Sequence, residues 1–117
     1  MTLAAKGFSA PDEVREFPKT RVEFVRVGDV VVARASYEPG WRWSEHIGPA
    51  LGTSVCHATH TGYVLSGRLR VAMNDGPEGE AGPGDVFVIP PGHDGWVVGN
   101  EPCVFLDFTG MANLLSG

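Results

Sequence analysis

The chain has only two cysteines, Cys56 and Cys103, in 117 residues. That is too few for the disulfide framework that staples small secreted domains, so each is read as a free thiol in a reducing compartment. Basic residues are also scarce, nine Lys and Arg against fourteen Asp and Glu for a net charge of −5. Such a balance argues against a nucleic-acid partner, which calls for a basic face. No apolar run approaches the roughly 20 residues needed to cross a bilayer, and no basic-then-apolar leader opens the chain. The expectation is a soluble cytoplasmic protein with no membrane partner. Histidine is sparse too, limited to His46, His57, His60 and His93.

What the chain does have is punctuation. Sixteen glycines and nine prolines are spread along it without a period, which favours tight turns over long helices. Between them lie short segments with strand patterning. Arg21 to Val27 alternates polar and apolar residues, and Val30 to Tyr37 returns after a Gly28-Asp29 turn as the second arm of a hairpin. Trp41 to His46 is also read as extended. Gly62 to Leu65 and Arg68 to Met73 flank a Ser66-Gly67 turn. Val86 to Ile89, Trp96 to Val98 and Cys103 to Phe108 follow, separated by Pro/Gly turns, with Asp85 read as capping backbone N–H groups in its turn. Ser9 to Glu13 reads as one helical turn with Ser9 as cap. The spacing predicts one all-β domain: an N-terminal arm over 1–19, a β-barrel over 20–110 and a tail over 111–117.

Two segments carry a family resemblance. Gly84-Asp85-Val86-Phe87-Val88-Ile89-Pro90-Pro91-Gly92 resembles the second cupin motif, and Tyr63-Val64-Leu65-Ser66-Gly67 resembles the end of the first. The resemblance implies a double-stranded β-helix, the jelly-roll barrel of the cupins, with a pocket that usually carries one divalent transition metal. This chain departs from the family's ligand pattern at several positions. Gly40 plus five residues reaches His46, but Gly48 stands where a second histidine would follow. His60 takes the glutamate's place, seven residues before Gly67. Gly95 occupies the third histidine's place, with His93 two residues earlier and of the same strand parity.

The ligand candidates are therefore His46, His60, His93 and Cys56. In an extended segment Cys56 shares parity with His60, which leaves His57 facing outward. Strand parity also sets His46 against Glu45: if the tryptophans line the cavity, Glu45 faces the metal; if they pack outside, His46 does. Imidazole nitrogens suit Zn, Fe, Ni or Cu, and a thiolate beside them shifts the preference toward Zn or Cu(I); Mn is also compatible with the resemblance. Glu45, Tyr63, Trp96 and Phe105 are candidate lining for a small-molecule pocket. Two function classes follow: a metal-dependent enzyme of oxygenase, isomerase or lyase type, or a non-enzymatic cupin that binds or senses a ligand. A homodimer, paired through sheet edges and the N-terminal arm, is expected in either case.

Overall fold

Turns at glycine and proline cut the chain into nine strands among the described residues, 3–115 of a computed structural model. They are β1 (Glu13–Phe17), β2 (Thr20–Val27), β3 (Val30–Tyr37), β4 (His60–Ser66), β5 (Arg68–Met73), β6 (Glu78–Ala81), β7 (Val86–Ile89), β8 (His93–Val98) and β9 (Cys103–Asp107). Two single-turn helices, α1 (Trp43–His46) and α2 (Gly48–Leu51), link β3 to β4, and a 3-10 helix over Gly110–Leu115 follows β9. No helix among the described residues is long and apolar enough to cross a membrane.

The strands form an antiparallel six-stranded sheet in the order β1-β2-β3-β9-β4-β7 and a three-stranded sheet in the order β6-β5-β8. The order shows long crossovers: β9 lies between β3 and β4, and β8 pairs with β5. This is the all-β jelly roll expected from the sequence, built as two sheets rather than as a barrel closed by continuous hydrogen bonding. Alternating residues of both sheets fill one core, including Val22, Phe24, Ala35, Val64, Phe105 and Val97. Turn chemistry fixes the registers: Gly67, between β4 and β5, has φ near +75° and no space for a Cβ beside the Pro102 carbonyl, a position only glycine fills without strain. Asp85 accepts the Gly82 N–H at 2.8 Å, as its turn position implied.

Three local expectations are corrected. Ser9 to Glu13 does not form a helical turn; Asp12 N–H donates to the Phe24 carbonyl and Glu13–Phe17 pairs along β2. The free edge of β2 satisfies a whole row of backbone groups, which one helical turn could not. Strand β6 escaped notice because Glu-Gly-Glu-Ala has little β propensity; its pairing with β5 is reinforced by Arg68–Glu80 and Arg70–Glu78 at 2.9 Å.

The third correction matters most for the site. Trp41 to His46 is not an extended run. It makes a single bridge to Trp96 at Arg42 and then turns into α1. Asp94, on β8, accepts hydrogen bonds from Ser44 N–H, Ser44 Oγ and Arg42 Nε at 2.8–3.0 Å. That carboxylate satisfies an otherwise orphaned N–H at the helix start. Trp41 stacks on Tyr37 with centroids 3.6 Å apart and donates Nε1–H to Thr20 Oγ1 at 2.8 Å.

Candidate metal centre

The centre is assembled where three chain segments meet at one end of the core. His93 opens β8 directly after the Pro90-Pro91-Gly92 turn. Cys56 lies in the loop before β4 and bridges to His93: its N–H donates to the His93 carbonyl and its own carbonyl accepts Gly92 N–H, both at 2.8 Å. His60 is the first residue of β4, opposite Ile89 of β7. All three are buried, and their ligand atoms lie within 4.8 Å of one another.

The orientation of each ring follows from its second nitrogen. His60 Nδ1 meets Asp107 Oδ2 at 2.7 Å, while its Nε2 lies 3.3 Å from Cys56 Sγ. His93 Nδ1–H donates to the Pro90 carbonyl at 2.7 Å, leaving Nε2 to the centre. The two rings stand edge to face, with centroids 5.4 Å apart. Asp107, at 1% exposure, is held from behind by the backbone N–H groups of Thr109 and Met111, each at 3.0 Å. Gly110 makes room for this arrangement: a Cβ there would strike the Thr59 carbonyl and come within 2.6 Å of His60 Nδ1.

Electrostatics follow the same geometry. Burial works against ionisation of the Cys56 thiol, yet the hydrogen bonds of His60 and His93, the charge of His60 and the Ala58 N–H hold it down at about 6. Burial also works against protonating His60, but Asp107 and Cys56 raise it to about 9. Both shifts favour the charged pair, a thiolate beside an imidazolium.

The donor set fits a metal ion. A four-coordinate ion with bonds of about 2.0–2.3 Å sets its donors roughly 3.5 Å apart. Histidines that bind metal through Nε2 characteristically give Nδ1–H to a carboxylate or a backbone carbonyl, and here one does each. Three protein donors would leave a coordination position open. Two cavities touch the group. An inner one of about 30 Å³, bounded by Trp43, His60, Phe87, Phe105 and His93, has room for about one water molecule. An outer groove of about 440 Å³ runs from Cys56 and His60 between α2, Phe17 and the 3-10 helix.

The remaining candidates lie elsewhere. His46, on α1, is half-buried and its Nδ1 accepts Arg42 N–H at 2.9 Å, outside the group of three. Glu45 points to solvent. Neither Glu45 nor His46 joins the group of three, because a helical turn replaces the strand parity expected there. Tyr63 is 38% exposed on the outer face of β4, and Trp96, on the outer face of β8, packs under the Arg42 guanidinium at 4.6 Å. Phe105 does line the inner cavity. Asp107 went unnoticed in the sequence although a signal was there: Cys103, Phe105 and Asp107 share one strand face, and a carboxylate on an apolar face asks for a buried partner.

A family profile described as the cupin domain matches residues 46–109, more than half of the chain and spanning all three residues. The chain belongs to the cupin family. Among solved structures, this cupin is similar to a formate complex of Lactobacillus farciminis oxalate decarboxylase, with a TM-score of 0.61 and 20% identity over 89% of this chain and 35% of that one. It thus spans about a third of that enzyme's length. KdgF from Halomonas sp. gives a TM-score of 0.57 at 19% identity over 81% and 82% of the two chains. A protein of unknown function from Acidithiobacillus ferrooxidans gives 0.61 at 18% over 92% and 91%. At these identities the likeness is one of fold. No curated protein matches the chain.

Proposed function

We propose that this cupin binds one divalent transition metal through Cys56, His60 and His93 and acts there on a small organic molecule. The observation that carries the reading is the fixed direction of both imidazoles: Asp107 and the Pro90 carbonyl engage the two Nδ1 atoms, so both Nε2 atoms converge on the Cys56 sulfur. One thiolate with two imidazoles is a donor set for zinc or copper rather than for magnesium, calcium or manganese. A bound ion with an open position would supply Lewis acidity toward a carbonyl or acidify a water molecule. The protein's own contribution is positional. Asp107 keeps the proton of His60 on Nδ1, Pro90 does the same for His93, and Trp43, Phe87 and Met111 leave the inner side room for about one water molecule.

Elemental analysis of untagged protein tests this reading. One equivalent of zinc or copper, lost on His60→Ala, is the expected result. Metal well below one equivalent that does not rise on reconstitution would overturn it.

A second reading rests on the line Cys56 Sγ–His60 Nε2–Asp107 Oδ2, at 3.3 and 2.7 Å. That is the geometry of a thiol nucleophile with its base and the base's orienting carboxylate. It would lead if the purified protein were metal-free and one equivalent of iodoacetamide blocked turnover by labelling Cys56.

A further inference from the structure

The two cavities at the centre differ enough to say what kind of molecule reaches it. The inner one, about 30 Å³, holds no organic substrate. The outer groove, about 440 Å³, falls within the range of small-molecule sites. Its walls are Phe17 from β1, Trp43 and Ile47 from the α1 region, Leu51 from α2, and Met111 and Leu114 from the 3-10 helix. Leu51 leaves half its surface to solvent. Arg15, which also lines it, already donates Nη1 to Glu13 Oε2 at 2.8 Å. Thr53, His57 and Asn113 add polar groups to a mostly apolar lining, and Cys56 and His60 stand where the groove meets the candidate centre.

A small dianion would find in this groove mostly apolar walls and a guanidinium already committed to a carboxylate. It would lose hydration with little in return. A molecule with an apolar body and one polar end would bury the first along Leu51, Ile47 and Leu114 and bring the second to the centre. We infer that the outer groove, rather than the interior of the jelly roll, is the substrate site, and that it takes an elongated apolar molecule with a single polar head. The inference deepens the metal reading, and rests on it only for what the head meets.

A graded ligand series tests this on the intact protein. Alkyl hydroxamates from acetyl to octanoyl, titrated into zinc-loaded protein by calorimetry, should gain about fourfold in affinity per added methylene until the groove is filled. The matching 1-alkanols, followed by NMR shifts on metal-stripped protein, should show the same increment without a metal anchor. Leu51→Asp, at a half-exposed position where folding should survive, is expected to cut the chain-length gain per methylene at least twofold.

Acetohydroxamate binding with no gain along either series would overturn the groove and leave the metal reading standing. A chain-length gain for the alkanols with no acetohydroxamate binding would keep the groove and overturn the metal reading. An unchanged gain in Leu51→Asp would also overturn the groove.

Discussion

Cys56 and Cys103 are the same residue in nearly the same degree of burial, at 7% and 0% exposure, and their chemistry is opposite. Cys103 sits on β9 opposite Tyr37, deep in the core, and burial pushes its thiol up to about 12. Cys56 meets the same penalty, but two imidazoles and a backbone N–H more than reverse it. Burial sets the cost of a charge; the partners decide whether the charge forms. One cysteine is a small core hydrophobe and the other a thiol whose partners favour the thiolate.

The contrast can be broken most strongly at the sulfur itself. Cys56→Ser should remove nearly all bound metal, because a serine hydroxyl does not ionise to a ligand at neutral pH. Cys103→Ala should keep the full equivalent, at a cost of about 1 kcal/mol of stability in urea unfolding, in line with a minor core truncation. Metal analysis of both variants checks the pair; equal losses would erase the distinction drawn here.

A smaller effect is expected one bond further out. Asp107→Asn leaves all three donors in place but removes the carboxylate that fixes the His60 tautomer. Metal affinity should fall about 10- to 100-fold, read by chelator competition. An unchanged affinity would show that Asp107 only holds the chain end.

The smallest effect concerns pH in metal-free protein. His60 is raised from 6.5 to about 9, so its contribution to stability is complete below pH 6.5 and is lost as pH rises through about 9. Cys56 is lowered from 9.0 to about 6, so its contribution is present above pH 9 and is lost as pH falls through about 6. Between roughly pH 6.5 and 9 the two slopes oppose each other, and these two groups together should leave urea stability nearly flat. In Asp107→Asn the His60 contribution weakens, so stability should climb with pH over that window. A steep slope in the parent protein would contradict the paired charges.

The sequence disclosed those elements whose periodicity and turn residues agree. β2 and β5 were legible from alternation, β3 and β7 as apolar segments set off by turns, and the two motif fragments gave the jelly roll. His60 was legible from its distance to Gly67, His93 because it shares strand parity with the place of the family's histidine, and Cys56 because parity ties it to His60. Trp41 to His46 misled for a physical reason. Its alternation of large and polar residues suits a strand, but Asp94, some fifty residues away, supplies the acceptor that lets a helix begin at Trp43. Glu45, Tyr63 and Trp96 failed as pocket residues on the same kind of non-local ground, since which face of a segment turns inward depends on what lies across the core. The strand face of Asp107 signalled a buried carboxylate, but its pairing with His60 depends on β9 running next to β4, a crossover that no local pattern announces.

Gly110 shows how little slack the centre has. The His60 ring fits a slot whose floor is the Asp107 carboxylate and whose ceiling is bare backbone at the start of the 3-10 helix. A single methyl group on that ceiling would lift the helix or tilt the ring, and either movement would carry Nε2 off its line to Cys56. The aim of a buried histidine nitrogen is thus set by clearance at a residue fifty positions later, at the last position the sequence assigns to the barrel before the tail.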